Sequence, residues 1–347
     1  MRVLVTGHDG YIGTVLVPML QAAGHEVVGL DSFLYRECTF GSPAPVLPAV
    51  ECDVRDVDAE VLEGFDAVVH LAAISNDPVG DLSPDTTLDI NHGGTVRLAT
   101  AAKRAGVRRL VFSSSCSLYG AGGQDLLDES ADFNPVTPYG RSKILAEQSL
   151  STLADERFSP TSLRNATAYG MSPRLRGDLV VNNLVAYASL TGEVLLKSDG
   201  TPWRPLVHIE DISRAFLAVL EAETSAVHDQ AFNVGRSGEN YRIREVAEIV
   251  EGVVPGSRVV LADRAGPDLR DYRVDTSKIE RLVPGFRPVW SVRAGAEQLY
   301  EAYQRFGLTR EMFEGPTLSR IEHVRSLMAA GRIDERLRWR SGPEGAA

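Results

Sequence analysis

Thr6-Gly7-His8-Asp9-Gly10-Tyr11-Ile12-Gly13 is the stretch on which the fold turns. It follows Val3-Leu4-Val5, an apolar run with the character of a buried strand, and leads straight into a helix expected over Ile12–Ala23. Glycines at 7, 10 and 13 have separate uses in such a strand–turn–helix. Gly7 permits the tight turn, Gly10 lets the backbone approach a pyrophosphate at the helix N-terminus, and Gly13 lets the helix pack closely on the sheet. Tyr11 and Ile12 lie inside the same turn and join the cofactor-side set. A glycine triplet alone also suits an ordinary strand–helix turn, so support must come from further along. Asp31 ends the next strand, where a carboxylate can bond the ribose 2′-hydroxyl of NAD and would repel the 2′-phosphate of NADP. Arg36 is a nearby cation that argues the other way. Asp53 and Val54 stand where adenine would lie, and Leu71, Ala72, Ala73 and Ser113 close further strands on the same side.

Outward from that turn, short apolar runs alternate with helix-length segments. Strands are expected at Glu26–Leu30, Pro48–Glu51, Ala67–Leu71, Leu110–Ser113 and Thr161–Arg164. Helices are expected over Asn91–Ala105, closed by Gly106, and over Tyr139–Leu153. This is an α/β pattern: a doubly wound parallel Rossmann sheet with a smaller mixed α/β substrate-binding cap. Residues 1–170 and 205–237 are assigned to the NAD-binding core, 171–204 and 238–312 to the cap, and 313–347 to a helical tail with a frayed end. Within the second half a helix is expected over Val181–Leu190. The chain is then expected to return to the sheet at Asp211–Leu220 and Gln230–Val234. An amphipathic stretch at Ile243–Val250 follows, then irregular chain to about Asp275.

Composition narrows the function. A formal net charge of −11 over 347 residues argues against a nucleic-acid partner. No apolar run approaches the roughly 18 residues that span a bilayer, and the N-terminus does not read as a signal peptide. Three cysteines without metal-ligand spacing and seven scattered histidines give no metal site, and the cysteine usage suits a reducing cytoplasm.

Tyr139-Gly140-Arg141-Ser142-Lys143 places a tyrosine and a lysine at i and i+4, on one face of a helix. A lysine one turn away, together with a positive nicotinamide ring, favours the phenolate and brings the tyrosine toward the working pH range. Such a pair also occurs as a plain amphipathic helix face. Ser113-Ser114-Ser115 ends the fifth strand, where a hydroxyl can orient a reacting alcohol.

Taken together, the glycine motif, Asp31, Ser115 followed by Tyr119-Gly120, Tyr139 with Lys143, and Arg204 resemble the extended short-chain dehydrogenases/reductases. The resemblance covers nearly the whole chain and is strongest to the NAD-dependent epimerase/dehydratase branch, near UDP-galactose 4-epimerase-like enzymes. It implies Tyr139 as acid/base, Lys143 as its modulator, Ser115 as substrate-orienting hydroxyl, and Asn91 as a structural and cofactor-side asparagine. It also implies a nucleoside-diphosphate sugar substrate, bound by Ser115, Ser117, Thr167, Asn183, Arg204 and Asp268, the last near Arg264 and Arg270. The family's dehydratases carry a carboxylate just after the catalytic Ser/Thr, whereas this chain has Cys116-Ser117, which favours C4 epimerisation over elimination; an NAD-dependent sugar dehydrogenase/reductase and a non-catalytic dinucleotide-sensing protein are the alternatives. Cys116 reads as a small buried residue. Thr167 stands where the family usually has a phosphate-contacting asparagine, with Asn165 displaced. Arg174 and Arg176 are candidates for reading a substrate carboxylate or phosphate. A homodimer through the Asn91–Ala105 and Tyr139–Leu153 helices is implied as well.

Overall fold

A computed structural model of the chain describes residues 1–122, 125–266 and 270–340. Its centre is a seven-stranded parallel sheet. The strands are β1 (Arg2–Thr6), β2 (Glu26–Asp31), β3 (Ala49–Glu51), β4 (Ala67–His70), β5 (Arg109–Ser115), β6 (Ser159–Asn165) and β7 (Gln230–Val234). Their order across the sheet is β3-β2-β1-β4-β5-β6-β7. β1 and β4 are buried along their length because helices cover both faces, as parallel sheets require. β3, at one edge, is short and partly exposed. The order reverses direction between β1 and β4, and that is where such sheets open a crevice at their C-terminal ends.

Five helices position the site: α1 (Gly13–Ala22), α2 (Gly94–Arg104), α3 (Pro138–Leu153), α4 (Val180–Thr191) and α5 (Ile209–Glu221). Pro138 at the first turn and the Thr137 hydroxyl, which accepts from Gly140 N at 3.1 Å, start α3. Gly106, at φ +84°, ends the α2 segment as expected. A π-helical turn, Asp89–Gly93, precedes α2, so the regular helix begins later than Asn91. His70 ties the switch point together: Thr6 Oγ1 lies 2.7 Å from Nδ1 and Thr95 Oγ1 2.8 Å from Nε2. Burial pushes this imidazole down to about 3, so it stays neutral.

Two expectations fail in the second half. Asp211–Leu220 is not sheet. Ile209, Ile212, Phe216 and Val219 recur at helical spacing, and the segment is α5, whose apolar face joins α1 in the core on one side of the sheet. The chain before Asp275 is not irregular throughout: Arg258–Gly266 is a strand running parallel to Glu193–Ser198. A third apolar core lies off the sheet, drawing on α4, Ile243–Val253 and Val292–Arg305. The C-terminal segment is helical at Arg310–Glu314 and Arg320–Ala329. Val324, Leu327 and Ile333 pack with Leu34 and Val54 against the β2–β4 side. Its last seven residues lie outside the described ones. Among the described residues no helix is long and apolar enough to cross a membrane.

Candidate active site

The crevice is a cleft of about 1170 Å³. On its glycine-turn wall, Gly7 adopts φ +71°, and a Cβ there would sit 2.7 Å from Ala72 N. Gly13 is constrained by its own turn: a Cβ would collide with the His8 and Gly7 backbone. The glycine therefore serves the closure of the turn rather than helix-to-sheet packing. No side chain caps the start of α1, which leaves that helix end suited to a phosphate. Asp31 closes the wall, accepting from Phe33 N at 2.8 Å and Asp9 N at 3.1 Å, with burial raising its carboxyl. Arg36 lies over the Phe33 ring at 3.8 Å, is half-exposed, and does not line the cleft. The carboxylate, not the cation, lines the cleft, so these residues fit NAD. Asp53 and Val54 also line the cleft. Burial alone would raise the Asp53 carboxyl, but its bonds to Arg55 outweigh that and hold it low.

On the floor, Ser115, Tyr139 and Lys143 come together at the ends of β5 and α3. Lys143 is buried, donates to Ser113 O at 2.7 Å, and sits 5.4 Å from the Tyr139 ring centroid. Ser115 stands beside Tyr139 and favours its phenolate, and Ser115 Oγ accepts from Ser117 N at 3.2 Å. The electrostatics depart from expectation. Desolvation pushes Tyr139 up to about 12 despite the opposing effect of Ser115, and pushes Lys143 down to about 7 despite Glu147 one turn on. In the protein alone, burial outweighs any mutual stabilisation of the pair, so the phenolate needs a further positive charge beside it.

Most other candidates reach the cleft. Leu71, Ala72, Ala73 and Ser113 line it on the cofactor side, and Ser117, Thr167, Asn183 and Arg204 on the cap side. Asn165 lines it too, with Nδ2 on Ser113 Oγ at 3.1 Å, and does not take the place of Thr167. Asn183 donates to Gly177 O at 2.8 Å, and Arg204 to Trp203 O at 2.8 Å and to Arg270 O. Asn91 does not line the cleft. Its amide holds both the N–H and the carbonyl of Ile74, at 2.8 and 2.9 Å, and so shapes the loop after β4 from behind. Arg174 is no substrate reader either; it is buried in a 2.6 Å ion pair with Asp9. Cys116 is buried with Sγ on Arg164 O at 3.0 Å, and burial raises its thiol, so it keeps its proton and does not exchange it with the cleft. Asp268 lies outside the described residues.

The sequence reading gave no role to Arg270 or to the C-terminal segment, and it named Arg176 only as a candidate reader of the substrate. Arg270 pairs with Asp77 at 2.9 Å across the cleft mouth. Arg176, weighed as a substrate reader, lines the cleft while bonded to Asp178 and Ser75. The C-terminal segment lines it through Leu318, Arg320 and Leu337. Arg270 with Asp77 and Arg176 with Ser75 join residues far apart in sequence, and no motif signals them.

The model of the NAD dependent epimerase/dehydratase family matches residues 3–235. The UDP-glucose 4-epimerase of Mycolicibacterium smegmatis is 32% identical, with 88% of this chain and 99% of that protein covered. Among solved structures, TunA, an NAD-dependent NDP-hexosamine 5,6-dehydratase of tunicamycin biosynthesis, is similar at TM-score 0.78 and 25% identity, covering 88% of this chain and 98% of that one. MoeE5, in complex with UDP-glucuronic acid and NAD, is similar at TM-score 0.74 and 29% identity, covering 88% and 99%.

Proposed function

The chain belongs to the NAD-dependent epimerase/dehydratase family, and from that premise we propose that it is an NAD-dependent nucleotide-sugar epimerase inverting C4. The convergence of Ser115, Tyr139 and Lys143 beside the glycine turn carries the reading. When bound, NAD supplies a reversible hydride acceptor and a positive ring charge, so that oxidation and reduction cancel over a cycle. Tyr139 removes the hydroxyl proton from the sugar and returns it after the keto-sugar has turned over. Ser115, which lines the cleft with Tyr139, orients that hydroxyl. Lys143, anchored on Ser113 O, holds the floor geometry and adds positive charge while protonated. Arg204, Asn183 and Thr167 hold the nucleoside diphosphate and the sugar on the cap side. A dehydratase, the activity named for TunA, needs a further acid/base beside the end of β5. Cys116 is buried there and Ser117 follows it, so elimination is the second reading. We also take the enzyme to be a cytoplasmic homodimer paired through α2 and α3, which sedimentation of the purified protein would test.

The deciding experiment incubates the protein with nucleoside-diphosphate hexoses and hexuronic acids, following NADH absorbance and sugar NMR in one tube. A new C4 epimer without net NADH is expected. Stoichiometric NADH, or an accumulating keto-sugar, would replace the epimerase with a dehydrogenase or a dehydratase.

A further inference from the structure

Around the adenosine end and middle of the cleft, arginines are matched with carboxylates: Arg55 with Asp53 and Asp89, Arg174 with Asp9, Arg176 with Asp178. Arg320 is different. It is 3% exposed and lies over the Tyr35 ring at 4.5 Å, and Nη2 donates to Arg174 O at 2.9 Å. Its Nη1 is buried without a hydrogen-bond partner among the described residues. The ionisable groups around it do not neutralise it. Burial raises the Cys38 thiol and keeps it neutral, Asp178 is taken by Arg176, and Glu37 is taken by Arg332. A guanidinium out of water without a counter-ion is destabilising unless an anion comes to it.

Tyr35 and Arg320 line the cleft beside Asp31 and Ser32, and Arg174 links Arg320 to Asp9 of the glycine turn. The segment carrying Arg320 is fastened to this side. His323 Nε2 lies 2.8 Å from Leu34 O, Trp339 donates to Ser32 O at 2.6 Å, and Arg55 donates to Arg336 O at 3.0 Å.

We propose that Arg320 is a diphosphate ligand of the NAD site: its side chain lines the cleft from the C-terminal segment, and its buried Nη1 is left unpartnered for a phosphate oxygen. The proposal rests on the cleft being an NAD site. A forked guanidinium suits phosphate oxygens, and the glycine turn contributes backbone N–H groups beside it.

The test is calorimetric titration of the nucleotide-free full chain with NAD, ADP and adenosine. Arg320→Met should weaken NAD and ADP about tenfold or more, while adenosine stays within about twofold. Unchanged ADP affinity, or equal losses for ADP and adenosine, would overturn the proposal, since a merely structural arginine would not distinguish the diphosphate. Should that variant not fold, Arg320→Lys keeps the charge without the fork. It should still lose ADP affinity several-fold at constant adenosine affinity, and no loss would be fatal. Wild type that binds neither NAD nor ADP would remove the premise itself, a result unlike any selective effect of Arg320.

Discussion

Along the glycine-turn wall of the cleft, backbone meets backbone. Gly7 N donates to Leu30 O at 2.8 Å, and Leu71 N donates to Thr6 O at 3.1 Å. Along the cap wall, side chains from distant segments make the joints. Arg174 with Asp9 is buried, and losing one partner of such a pair costs about 3–5 kcal/mol. Arg270 with Asp77 is 41% and 32% exposed, where an ion pair is worth about 1 kcal/mol at most. The first wall is set by the folding of the sheet itself. The second is riveted at one point and only latched at the cleft mouth, which suits a site that must keep a cofactor and exchange a sugar.

That contrast can be broken in order of effect. Tyr139→Phe removes the floor's proton carrier and should lower turnover by about 10²–10⁴-fold with NAD binding retained, as NMR turnover and NAD titration would show. A fall below tenfold would move the chemistry off the floor. Asp9→Asn unrivets the cap and should lower unfolding free energy by about 3 kcal/mol in denaturant titrations. A loss under about 1 kcal/mol would mean that the walls are not held differently.

Lys143 tests the floor through pH. Below about 7 the lysine is protonated in both folded and unfolded chains, and its burial penalty is felt in full. Between about 7 and the ordinary lysine value of 10.5, only the unfolded chain keeps the proton, so stability rises with pH. The melting temperature of wild type should therefore gain several degrees on Lys143→Met between pH 7 and pH 9. Parallel curves would place the lysine in water. Asp77→Asn should have the smallest effect, a stability change below about 1 kcal/mol and a several-fold rise in KM for the nucleotide sugar at unchanged NAD affinity. An equal loss of NAD affinity would make the latch part of the cofactor wall.

The order of strand, turn and helix through β6 could be read from periodicity alone, and so could the glycine turn, Asp31 and the Tyr139–Lys143 face. Their determinants lie within one element: a positive φ, an alternating or helical spacing, an N-cap. Asp211–Leu220 was misread because a buried helix and a buried strand both present a dense apolar run. Tyr139 carried its spacing in the sequence but not its ionisation, which follows from desolvation by everything packed around it.

What the sequence determined by itself is the sheet, the turn for a dinucleotide and the pair on α3, because each depends on neighbours a few residues away. What only the tertiary structure decided is the use of each charge: Arg174 as a rivet, Asn91 as a brace for Ile74, and Arg320 carried back to the wall near Leu34. Those outcomes depend on which segments the folded chain brings within hydrogen-bonding reach, and for Arg320 and Leu34 the separation along the chain is nearly its whole length.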